Sequence, residues 1–185
     1  MQTIHLRLQE LGPDFIRNLK QQYKSADLQM LITERPSAAD DLDEDGFWQL
    51  IARFDWKKTG NDNAVMEPAI AALSQLSAAA SGNFLDILSE KPWRLDTENH
   101  ARPFTEHHPQ NRLSVDDFLY VRCSVVANGR DVYTDILQHP EKMPDLTFSG
   151  LLNLAHMAHK RKTGKDLKHL PTYNYETYSN ENGWI

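Results

Sequence analysis

The chain has 185 residues, with 26 acidic side chains against 20 basic ones and a formal net charge of −6; that length suits one domain with an appendage and buries a core without disulfide staples. The acidic balance argues against phosphate-backbone binding as the main task, because nucleic-acid affinity rests on clustered Lys and Arg. The single Cys123 makes no internal bridge, no apolar stretch nears the roughly 20 residues a bilayer requires, and no basic start leads an apolar run. The expectation is a reducing, cytoplasmic setting, with no membrane and no nucleic-acid partner.

Residues 3–9 alternate apolar and polar, as do Leu28, Met30 and Ile32, which is the period of a strand. Between them Gly12-Pro13-Asp14 opens a short helix edged by Phe15, Ile16, Leu19 and Tyr23. Residues 1–36 therefore read as a small β-α-β leader. Two strands are too few to stand alone, so the leader either packs on the rest of the chain or joins a second copy, which makes it a candidate homodimer element. Residues 37–46 turn to Ser, Ala and acid and read as an acidic linker. Within it 41–46 copies the first half of a calcium loop, but the twelfth position is Ala52 where a bidentate Glu is needed. The preferred role for these acids is to cap the helix that follows.

From residue 47 to residue 185 the pattern is helical, so the fold class is mainly α, or α+β with the leader included. Phe47, Trp48, Leu50, Ile51 and Phe54 form a short helix that the Gly60-Asn61-Asp62-Asn63 turn separates from a second, built on Val65, Ile70, Leu73 and Leu76. A third follows Ser81-Gly82 with Phe84, Leu85, Ile87 and Leu88. Residues 97–112 are polar, carry two prolines and three histidines, and read as a loop.

Residues 113–137 read as one long helix, with Val115, Phe118, Leu119, Val125, Val126, Val132, Tyr133, Ile136 and Leu137 along a continuous face. Ser114 is its N-cap, Asp117 supports the first turn, and Pro140 closes the far end. Arg122 and Gly129 interrupt the stripe, at the spacing of Val115 and Ile136. An inward guanidinium keeps its charge, and left alone it would cost roughly 3–5 kcal/mol, so a carboxylate from elsewhere must meet it, with Glu176 or Asp96 as candidates. At Gly129 the expectation is that something packs on bare backbone. Phe148, Leu151, Leu152, Ala155 and Ala158 mark a last helix ended by Gly164, with Lys160-Arg161-Lys162 as its solvated C-terminus. The aromatic tail, residues 173–184, lacks helical spacing and should lie across the surface as irregular chain pinned by its rings.

The chemistry-bearing residues form no familiar set. His156 and His159 are three apart on a helix and could share a zinc ligand face, but their angles suit a rim histidine and a hydrogen-bonded core histidine better; no metal and no cofactor is expected. Cys123 sits among apolar neighbours and reads as inert packing. Esterase, P-loop, zinc-peptidase and dinucleotide signatures are missing. The polar set left over is Asp116, Asp117, Arg122, Asn128, Arg130, Tyr175, Glu176, Thr177 and Asn180, with Arg122, Arg130, Asp116, Asp117, Glu176 and Asn128 as the candidate binding residues. It either ties the tail onto the helix or binds an anionic ligand or a partner's carboxylate through the forked arginines.

Phe47-Trp48-Gln49-Leu50-Ile51, then Phe118-Leu119-Tyr120-Val121-Arg122, Val125-Val126 and Gly129-Arg130-Asp131-Val132-Tyr133, with Pro140 after them, resemble the bacterial domain-of-unknown-function-4240 family over about residues 45–145. Where that family has paired Asp after Ser, this chain places Val115 first and then Asp116-Asp117. The resemblance implies a helical domain and names no reaction. The favoured functional expectation is a bacterial protein-binding module, antitoxin-like, immunity-like or regulatory, without catalytic residues. The alternative is a small-anion binder or enzyme using the Arg, Asp and Glu set.

Overall fold

The computed structural model describes residues 42–107 and 113–185, together with Arg17 and Tyr23. The β-α-β leader, the linker as far as residue 41 and the His108-Pro109 part of the expected loop lie outside the described residues. What is described is helical: α1 Glu44–Ile51, α2 Asp62–Gln75, α3 Ala80–Arg94, α4 Glu98–His107, α5 Val115–Ala127, α6 Arg130–Gln138 and α7 Leu154–Thr163, with short 3-10 turns between some of them. No helix among the described residues is long and apolar enough to cross a membrane.

Three helix starts are written in N-cap side chains that accept a free amide of the first turn. Asp43 takes the Gly46 N–H at 2.8 Å, Asn61 takes that of Ala64 at 3.1 Å, and Ser114 takes that of Asp117 at 3.4 Å. The incomplete calcium motif is thus spent on α1, which begins inside the acidic stretch at Glu44. Glu44 accepts from the buried Lys91 ammonium at 2.8 Å and Asp45 from Arg130 at 2.6 Å. Lys91 holds its Glu44 partner's carboxyl below the ordinary range.

The apolar faces close one core. Phe47 and Ile51 of α1, Met66, Ile70 and Leu73 of α2, Phe84 and Leu88 of α3, Phe104 of α4, Phe118 of α5 and Leu151 before α7 are all buried there. Phe47 meets Phe84 with ring centroids 4.8 Å apart, and Phe104 meets Phe118 at 5.8 Å. Helices α2 and α3 pack on α7, and α3 also packs on α5. The tail crosses this bundle without helix: Tyr173 lies on Trp93 at 4.8 Å, while Trp184 meets Phe118 at 6.2 Å and Tyr178 at 4.5 Å.

Two expectations are corrected. The long helix over 113–137 is two helices, because Gly129 adopts φ +99 as the N-cap of α6. A Cβ built there meets nothing within 4 Å, so the glycine answers to backbone torsion and not to close packing; a side chain in the left-handed region would cost roughly 1–2 kcal/mol. The turn also re-aims the stripe. Tyr133 and Ile136 remain buried while Val132 is 40% exposed, and Val115, in the first turn of α5, is 47% exposed.

The polar loop over 97–112 contains α4. Thr97 opens it, its hydroxyl taking the His100 amide at 3.3 Å and its carbonyl the Ala101 amide at 3.0 Å, and Ala101 and Phe104 are buried at the i, i+3 spacing of one face. His100, 4% exposed, is the polar member of that face. Its Nε2 donates to the Ile136 carbonyl at 3.2 Å, which leaves Nδ1 to accept from the Thr97 hydroxyl at 2.7 Å. The ring joins α4 to the end of α6 as a neutral imidazole.

Burial, aided by the positive charge of Arg122, lowers the His100 pKa from its ordinary value near 6.5, against the opposing hydrogen bond to Ile136. In the unfolded chain the imidazole takes up a proton first as pH falls, so the unfolded state binds more protons and stability drops below about pH 6.5. Urea midpoints should decline from about pH 7.5 to about pH 5.5, and His100→Asn should flatten that decline. An equal decline in the variant would remove His100 as the cause.

Candidate functional site

The end of α3 presents carbonyls that have no partner within the helix, at the negative end of its dipole. Arg122, projecting from the middle of α5, supplies the donors. Its Nη1 donates to the Pro92 carbonyl at 2.8 Å and to the Tyr175 carbonyl at 3.2 Å, its Nη2 to the Thr177 hydroxyl at 2.8 Å, and its Nε to the Phe118 carbonyl one turn back at 3.4 Å. Four of five guanidinium N–H groups are thereby engaged. The side chain is 0% exposed, and its carbon centre lies 4.7 Å from the Phe118 ring centroid.

The charge is matched by Asp96, itself 0% exposed, whose Oδ1 lies 3.8 Å from Nη1. No direct hydrogen bond joins the two. Asp96 instead accepts from the amides of Tyr178 at 3.1 Å and Asn180 at 3.0 Å, while the Asn180 amide group donates to the Trp93 carbonyl at 3.2 Å. A cation and an anion buried side by side attract through the interior and place hydrogen bonds on the same strip of tail, which offsets part of a desolvation that still lowers the Arg122 pKa. Asp96, one of two acids the sequence offered for this role, fills it; Glu176 is exposed.

Thr177 carries this arrangement to the surface. Its hydroxyl accepts from Arg122 and donates to the Val115 carbonyl at 2.7 Å, which fixes the tail to the first turn of α5. Above that bond Val115, Asp116, Asp117 and Glu176 are exposed, and Tyr178 is 50% exposed. Tyr178 stands at φ +73. A bulky residue in that region costs on the order of 1–3 kcal/mol and persists only where its surroundings hold it; the Asp96–amide bond and the contact with Trp184 do so here.

Of the polar set in the sequence, Arg122 meets Tyr175 and Thr177, and Asn180 joins them through Asp96; Glu176 lies between those tail residues, and Asp116 and Asp117 follow Val115, whose carbonyl accepts from the Thr177 hydroxyl, all three acids exposed. Asn128 and Arg130 do not join them. Asn128 is exposed at the far end of α5, where its side-chain amide donates to the Ser124 carbonyl at 2.8 Å, and Arg130 opens α6 in an exposed pair with Asp45. Cys123 is fully buried, and burial pushes its thiol up to about 12, so it is not a nucleophile at neutral pH. His156 is exposed. His159 is half-buried, and in place of the expected hydrogen-bonded core histidine it has a buried Nδ1 without a partner among the described residues. Among the described residues no three His, Cys, Asp or Glu side chains are grouped to hold a metal. Tyr178 escaped sequence reasoning because it has neither helical spacing nor a motif, and a positive φ at Tyr leaves no mark in sequence.

A family model described as protein of unknown function (DUF4240) matches residues 42–176, a span wider than the 45–145 carried by the motifs. No curated protein matches the chain. No solved structure matches it either.

Replacing Arg122 with Met leaves the Pro92 and Tyr175 carbonyls, the Thr177 hydroxyl and the Asp96 charge buried without their cation. The expected loss is roughly 3–5 kcal/mol in urea unfolding, with no rescue by Arg122→Lys, whose ammonium lacks the fork, and little effect of Glu176→Gln. Unfolding of Arg122→Met within about 1 kcal/mol of the parent would contradict this role.

Proposed function

Starting from a chain that belongs to the DUF4240 family of proteins of unknown function, we propose that it is a protein-binding module whose contact surface is the patch over Arg122. The observation that carries the reading is Tyr178: a half-exposed aromatic ring held at a strained torsion by a buried carboxylate. Rigid aromatics are the side chains that anchor interfaces, because they contribute large contact area at little entropic cost. Val115 adds a second apolar surface beside it, and Asp116, Asp117 and Glu176 give the rim a negative charge. The fitting partner is a protein with an apolar pocket bordered by Lys and Arg, since complementary charge speeds encounter and fixes register.

Acting by occlusion, such a module would be antitoxin-like, immunity-like or regulatory, working in a reducing, cytoplasmic, bacterial setting. A second copy joined through residues 1–36 belongs to the same proposal. The anion-binding alternative draws no support from Arg122, whose forked donors are already engaged inside the fold.

Tyr178→Asn tests the reading, because Asn tolerates the left-handed region and removes the ring. A partner recovered from the native host with the parent chain, then purified, should bind Tyr178→Asn about tenfold or more weakly. Asp116→Lys with Asp117→Lys should slow its association at low salt. Equal binding by parent and variants, or no partner recovered, would overturn the proposal.

A further inference from the structure

A different face holds a cleft of about 760 Å³, bounded by the start of α3, by His159 of α7 and by the strap 165–169 that follows α7. The strap is held in place by Asp86 of α3. One Asp86 oxygen accepts from His169 Nε2 at 2.9 Å, and the other accepts from the Thr172 amide and hydroxyl, each at 2.9 Å. Gly82 lets the strap come close, since a Cβ there would meet the His169 ring at 3.1 Å. Lys165 and Lys168 line the cleft exposed, and neither ammonium has an ion-pair partner among the described residues. The acid on the same wall, Asp166, is engaged by Lys160 at 3.0 Å.

In a chain of net charge −6, two exposed lysines with no ion-pair partner among the described residues share one concavity and give it a local positive field. The cleft also opens on the positive end of a 15-residue helix, where the Ser77 hydroxyl accepts from the Ala80 amide at 3.1 Å and the Ala79 carbonyl accepts from the Gly82 and Asn83 amides. Ala78, Ala79 and Leu167 give the remaining wall an apolar character. We propose that this cleft binds a small phosphate monoester, with Lys165 and Lys168 on the phosphate and the alanine–leucine wall on its organic group. Lysine serves such a group as a point charge, without the fixed fork of an arginine. This site is separate from the Tyr178 patch, so either can fail without the other.

The full-length chain titrated with inorganic phosphate and with methyl phosphate at constant ionic strength should show saturable amide shifts at Gly82 and Asn83 and ring shifts at His159 and His169. Methyl phosphate should bind more tightly. K165E/K168E should weaken binding about tenfold. K57E/K58E, with the same change of net charge on the 3-10 turn Trp56–Lys58, should leave it unchanged. K165Q/K168Q, which removes the charges without reversing them, should weaken it by a smaller factor. No saturable shift, equal weakening by K57E/K58E, or unaltered binding by K165E/K168E would overturn the proposal.

Discussion

One buried cation holds the irregular part of this protein to its regular part. The guanidinium of Arg122 fills the carbonyl end of α3, and the Asp96 carboxylate beside it takes the amides of the passing tail. Each charge would be costly alone. Together they give a strip of chain without helix or sheet the backbone partners that regular structure would otherwise supply. The tail from Tyr175 to Asn180 depends on it, and with it the position of Tyr178.

Much of the helical domain is legible in the sequence for physical reasons. Ser114, Asp43 and Asn61 are short polar residues ahead of apolar runs, and each caps a helix where its chemistry suits it. Arg122 on an apolar stripe forces a buried acid, because guanidinium cannot shed its charge, and Asp96 answers. Gly164, at φ +71, ends α7 in the left-handed cap that glycine adopts without strain.

The misreadings have equally definite causes. Periodicity cannot register a change of helix axis when the apolar spacing happens to continue across it, so Gly129 looks like a packing glycine and is a turning point. Helix α4 hides because its buried face includes a histidine, whose interior bonds to Thr97 and Ile136 make it act as a core residue. The surface patch and the strap cleft combine segments far apart in the chain. Lys91, 3% exposed and bonded to Glu44 and Glu90, is a second buried cation met by acids, and neither spacing nor a motif marks it in the sequence.

The central claim is that the Arg122–Asp96 centre, and not the weak local structure of the tail, orders residues 175–180. Amide hydrogen exchange in the unmodified protein measures this directly, because the Tyr178 and Asn180 N–H groups both point at Asp96. The account predicts that these two amides exchange as slowly as those in the interior of α5, opening only with global unfolding. Exchange at the rate of a solvated loop would contradict it.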